Sequence, residues 1–298
     1  MKNGRDTREL SVVYHRLGTM KWARGEYDQA LSNLEMAKNL RMEEGDEESL
    51  SMTLNNMALV YHERGDLEKA LELYLEAEAL YEKHKDMHSM GLALSNIGLV
   101  FQDMGDGKLA LEFYAKSLDV KRKIGDQLGI VITLHNMGLL HKDDERFGDA
   151  IPLLLESLEG SQGLGSVQSM IHNLCALAEV YAMMGKSDVA LDYAQKALER
   201  ARVGENPVEM GISCQAMGLA QCSMRNSKEA MENFERARDY FQSANHKIGL
   251  AGLEYTRARA LLLLDMKEEA LSSLEKARVL FEKLGMGYWV KRCEKELL

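Results

Sequence analysis

Proline is nearly absent. Pro152 and Pro207 are the only two in 298 residues, so the residue that most strongly breaks helices leaves almost the whole length free to be helical. Basic charge is short as well: 37 Lys and Arg against 47 Asp and Glu give a formal net charge of −10. That excludes the concentrated cationic patch that a nucleic-acid or anionic-membrane surface needs. No apolar run approaches the roughly 20 residues required to span a bilayer, and the opening MKNGRDTREL has no apolar signal-type core. A cytoplasmic protein is expected, with no nucleic-acid partner and no membrane insertion. Cysteine is sparse and unpatterned: Cys175, Cys214, Cys222 and Cys293 show no CxxC spacing and no completing histidine pair. They read as buried free thiols, and no metal or cofactor is expected.

What is present is a repeat. A small residue recurs at Gly18, Ala58, Gly98, Gly138, Ala178, Gly218 and Ala258, and a second series falls at Ala30, Ala70, Ala110, Ala150, Ala190, Ala230 and Ala270, both with a period of 40. Two small residues 12 apart, each within an apolar pattern of helical period, mark the closest approach of two packed helices. Between them lie short turns such as ARGEYDQA, ERGDLEKA and DMGDGKLA, whose Gly25, Gly65 and Gly105 suit the left-handed residue that ends a helix. Gly45-Asp46, Gly125-Asp126 and Gly165-Ser166 join a terminating glycine to an N-capping side chain, and Asn206-Pro207 joins an N-cap to a first-turn proline. Each unit is therefore helix A, turn, helix B, with later A helices starting near Asp46, Asp86, Asp126, Ser166, Asn206 and His246.

In this register Leu54, Met57-Ala58, Tyr61, Gly65, Ala70, Tyr74 and Ala77 fill a pattern that Leu94, Ile97-Gly98, Phe101, Gly105, Ala110 and Tyr114 repeat. The pattern resembles the tetratricopeptide repeat (TPR) family, although the period is 40 rather than 34. The longer unit is similar to that of Pins-type adaptors and of bacterial TPR sensor proteins. The resemblance implies an all-α, right-handed α-α superhelix, a single TPR solenoid over residues 1–298. Its seven helix-turn-helix repeats cover approximately 7–45, 46–85, 86–125, 126–165, 166–205, 206–245 and 246–285, with a capping helix at 286–298. The seventh is degenerate, with Glu254 and Arg257 at usually apolar positions. Trp289, Cys293 and Leu297 give the last segment an apolar face suited to covering the final repeat.

No catalytic constellation emerges: Gly160, Gly163 and Gly165 lack the lysine and strand of a phosphate loop, and His135 and His141 point to different sides of one helix. No enzyme is expected. The resemblance implies that helix A lines the concave surface, and Asn56, Asn96 and Asn136 stand there at one register position. Asparagine is a poor interior helix residue, and a ladder of carboxamides can donate to and accept from a peptide main chain. The same residues could instead solvate the face or pair between adjacent A helices. Beside them run Asn55, Ser95 and His135, then His62, Gln102 and Lys142, then Glu63, Asp103 and Asp143. Leu59, Leu99, Leu139 and Leu219 follow the same stripe. Met183, Tyr255 and Leu262 mark a more apolar secondary groove, suited to an amphipathic helix or to the chain's own cap. The expectation is a scaffold or adaptor that binds a peptide segment of a partner protein, the terminal repeats offering surfaces for homo-oligomers. The alternative is a quorum-sensor-like regulator whose superhelix responds to a small signalling peptide or metabolite.

Overall fold

A computed structural model describes residues 2–297; Met1 and Leu298, the last residue of the expected cap, lie outside the described residues. Among these the chain forms helices and no strand, and it packs as two compact units, Met1–Asp126 and Gln127–Leu298. In the first unit α1 (Lys2–Trp22) pairs with α2 (Tyr27–Glu44), α3 (Glu47–Arg64) with α4 (Leu67–His84), and α5 (Met87–Met104) with α6 (Gly107–Ile124). In the second, α7 (Gln127–Asp143) pairs with α8 (Phe147–Gly163), α9 (Val167–Met183) with α10 (Ser187–Gly204), α11 (Pro207–Ser223) with α12 (Ser227–Ser243), and α13 (Lys247–Leu263) with α14 (Lys267–Lys283). Helix α15 (Gly287–Leu297) follows.

The helix ends obey one rule. A left-handed residue falls every 20 positions from Gly25 to Gly285, so the turn inside a repeat and the turn between repeats share one geometry. Glycine supplies it at eight places, but Lys85, Glu145, Glu205, Arg225, Asn245 and Asp265 take it at φ of 50–62°. N-caps fall where the sequence marked them: Asp46 and Asp86 accept from the N–H of Ser49 and Ser89, each at 3.1 Å, and Asn206 caps α11.

The small residues of helix A sit where helix B crosses closest. A Cβ added to Gly98 would lie 2.7 Å from the Tyr114 ring, and one on Gly138 2.7 Å from Leu154. The partner series from Ala30 to Ala270 is fully buried. The core of the first unit is built on Leu54, Ile97, Tyr74 and Tyr81, and that of the second on Leu154, Ile171, Leu174, Phe234 and Phe241. A separate terminal cluster joins Tyr255, Leu274 and Phe281 to Cys293, with Trp289, Val290 and Leu297 packed against it. All four cysteines are buried and free. Glu254, out of place in the repeat pattern, is buried and accepts from Arg238 at 2.9 Å.

Candidate functional site

In the first unit much of the expected polar row is spent on joining successive A helices. His62 Nε2 meets Asp103 at 2.7 Å, and Trp22 Nε1 donates to Glu63 at 2.7 Å. The Asn56 carboxamide lies 3.2 Å from His15 Nε2, while His15 Nδ1 faces the Arg41 guanidinium at 3.2 Å. Arginine can only donate, so it fixes the neutral ring with its hydrogen on Nε2, and the Asn56 Nδ2 that faces this atom must turn its carboxamide over to present the oxygen as acceptor. Burial, helped by Arg41, pushes His15 down to about 4, consistent with that neutral ring. Gln102 accepts from the Tyr114 hydroxyl at 2.9 Å.

One residue of the row faces elsewhere. Ser95 is buried against helix B, 2.8 Å from the Ser117 hydroxyl, and receives Lys121 Nζ at 2.7 Å, so it is a core residue and not a groove contact. Asn55 is half buried, and its Oδ1 has no partner among the described residues. Asn96 is half buried, and its carboxamide makes no hydrogen bond to another described residue.

In the second unit Asn136 is likewise half buried, with no hydrogen-bond partner among the described residues. His135 is tied to the Asn173 carboxamide at 2.9 Å, and burial pushes it down to about 4 in spite of that bond. Lys142 and Asp143, at the end of α7, open onto a cavity of about 210 Å³. Met183, Leu219, Tyr255 and Trp289 form apolar walls, and Glu179 and Arg259 join the charged end. Lys142 Nζ donates to Glu179 at 2.6 Å. Burial opposes the lysine charge, but Glu179 and Asp143 more than offset it and hold its pKa above the ordinary value. For Asp143 burial wins, and its carboxyl is raised despite Lys142 and Arg292. The cavity thus unites the end of the expected polar row with Met183 and Tyr255 of the secondary groove, whereas Leu262 is 44% exposed and stands apart from it.

Helix α15 contributes Trp289 to the wall of this cavity. Trp289 stacks on Phe281 at 5.5 Å and meets Tyr255 edge-on at 5.4 Å. Arg292 donates to the Tyr255 hydroxyl at 2.6 Å, to the Tyr288 hydroxyl at 3.1 Å and to the main-chain carbonyl of Asp143, 149 positions earlier. The cap therefore covers the last repeat and also reaches back to α7. Sequence reasoning missed Glu179, Arg259 and Arg292. The first two had a signal: Leu59, Leu99, Leu139 and Leu219 form a leucine row of period 40, interrupted at Thr19, Glu179 and Arg259, of which the last two are charged.

Within each unit, helix pairs stacked in sequence order, each closed at its Gly/Ala crossing, define a helical-repeat scaffold. Residues 9–83 and 89–163 match the model of the tetratricopeptide repeat, half of the chain, and the chain belongs to that family. Among solved structures, the apo form of RapI shares the fold with a TM-score of 0.79 at 16% identity, over 96% of this chain and 99% of that one. Aspartyl phosphate phosphatase F from Bacillus subtilis gives 0.82 at 15%, over 95% and 74%. The apo quorum sensor NprR from B. thuringiensis gives 0.70 at 17%, over 91% and 76%. Among the described residues no helix is long and apolar enough to cross a membrane.

Proposed function

We propose that this TPR chain acts by binding, not by catalysis, and that its ligand is a peptide segment of a partner protein held on the A-helix faces. The observation that carries the reading is made in each unit by itself, at Asn96 in the first and at Asn136 in the second. Each is a half-exposed carboxamide on an A helix with its hydrogen-bonding capacity unspent, at a position where intrinsic propensity disfavours asparagine. Asn56, His62, Glu63 and His135 support the same faces by linking adjacent helices. Similar folds support the ligand class: one is a Rap protein complexed with Competence and Sporulation Factor, another a Rap conjugation gene regulator in complex with the Phr* peptide. The test is quantitative affinity capture from the native cell extract with the wild-type chain and with the Asn96→Ala/Asn136→Ala variant. A partner retained by the first and lost by the second supports the reading; equal recovery of every partner sinks it.

One observation favours a regulated version of this reading. Helix α15 is the chain's own amphipathic segment seated over the cavity of the second unit, held across to α7 by Arg292. A ligand entering there must work against or beneath α15, which couples occupancy to the position of the last helix.

A further inference from the structure

Two cations, Lys142 and Arg259, and two carboxylates, Asp143 and Glu179, form the charged end of the cavity in the second unit. Lys142 is held by Glu179 at 2.6 Å, Arg259 by Glu145 at 3.1 Å, and Arg292 faces Glu296 at 3.9 Å. Of the two carboxylates in the lining, Glu179 is taken by Lys142, and Asp143 is left without a hydrogen-bonded cation. Its side chain is 6% exposed, and its nearest cation is Lys142 Nζ at 3.9 Å, beyond hydrogen-bond reach and already committed to Glu179. No described residue donates a hydrogen bond to the Asp143 carboxylate. A carboxylate so enclosed costs free energy until a donor reaches it, and a cationic donor offsets the most. Burial raises its pKa, as it does for an anion short of partners.

The rest of the lining defines what must accompany the donor. Met183, Leu219, Tyr255 and Trp289 offer apolar and aromatic surface within the same cavity. At about 210 Å³ it is smaller than the roughly 300–1,000 Å³ of pockets that hold a whole drug-sized ligand. One residue of a longer ligand fits that space, and the aromatic walls favour a cation on an apolar stem.

We propose that this cavity is a subsite for a primary ammonium group borne on an apolar stem, with Asp143 as its anion and the Trp289 side of α15 as its lid. Two sources share that chemistry, the free N-terminus of a peptide that begins with an apolar residue and the side chain of a lysine. The assignment rests on the peptide-binding reading and names one end of its ligand.

The test uses the full chain with Trp22→Phe, which leaves Trp289 as the only tryptophan. Its fluorescence is titrated with leucinamide, with Nα-acetyl-lysinamide and with N-acetyl-leucinamide, the last having the apolar stem without the ammonium. A saturable change with leucinamide assigns the site to an N-terminus, and one with acetyl-lysinamide assigns it to a lysine. In either case the acetylated leucinamide binds at least tenfold more weakly, and Asp143→Asn weakens the binding ammonium probe at least tenfold. Equal binding of leucinamide and its acetylated form, or no response to either ammonium probe, overturns the proposal in the wild-type background even if Asp143→Asn folds poorly. A partner captured equally by wild type and Asp143→Asn, yet lost on Asn96→Ala/Asn136→Ala, removes this subsite and leaves the peptide-binding reading standing.

Discussion

Replacing the three register-matched asparagines one at a time separates structure from binding. Asn56→Ala removes the carboxamide that partners the His15 ring, which stays half buried beside Arg41 and Thr53. An intramolecular hydrogen bond contributes about 0.5–1.5 kcal/mol net, and an orphaned buried donor costs about 1–3 kcal/mol. The better helix propensity of alanine returns only about 0.5 kcal/mol. Asn56→Ala is therefore expected to lower stability by about 1 kcal/mol. At a urea m-value of about 2 kcal/mol/M, that is a midpoint shift of about 0.5 M. Asn96 and Asn136 lose no protein partner, so their alanine variants keep or slightly raise the midpoint through propensity alone. Urea unfolding followed by circular dichroism at 222 nm measures all three. An unchanged midpoint for Asn56→Ala, or losses of about 1 kcal/mol at Asn96 or Asn136, would refute the partition of the row into supporting and binding residues.

Three further outcomes follow. His15 and His135 have pKa values of about 4 when folded against an ordinary 6.5, so the unfolded chain takes up protons in that window. Their contribution is complete above about pH 6.5 and lost as pH falls towards 4; the unfolding free energy from urea titration should drop by about 1–2 kcal/mol per histidine at pH 5, and His135→Gln should remove its share. Glu205→Gly and Lys85→Gly relieve left-handed backbone at φ 51° and 58° and should each stabilise by about 0.5–1 kcal/mol in thermal melts, whereas lower melting temperatures would place another interaction at those turns. Removing residues 287–298 uncovers Phe281 and Tyr255 and frees the Asp143 carbonyl from Arg292; light scattering should show self-association and hydrogen exchange should show loosening from α14 backwards, while an equally stable monomer would show that α15 caps nothing.

The fold was legible because a tight helix crossing leaves a periodic mark: a Cβ on Gly98 or Gly138 would lie 2.7 Å from Tyr114 or Leu154, and every repeat holds glycine or alanine at that position. The direction of each polar side chain was less legible. Ser95 shares its register with Asn55 and His135, yet it turns to helix B because Lys121, buried at a position where other repeats place Tyr81 or Phe241, needs an oxygen partner. A cation inside an apolar helical stripe was the available clue. The cavity could not be read locally, since it depends on Trp289 and on Arg292 meeting a carbonyl 149 positions away. Its charged members were nonetheless written as interruptions of a leucine row, at Glu179 and Arg259.

The central claim, that unspent carboxamides on the A helices bind a peptide main chain, is tested most directly by equilibrium titration. Peptides selected by display on the wild-type chain are labelled, and their Kd is measured by fluorescence anisotropy against wild type and against Asn96→Ala/Asn136→Ala, with melting temperatures recorded alongside. Loss of peptide hydrogen bonds worth about 0.5–1.5 kcal/mol at each site predicts a Kd raised roughly tenfold at an undiminished melting temperature. An unchanged Kd would contradict the account.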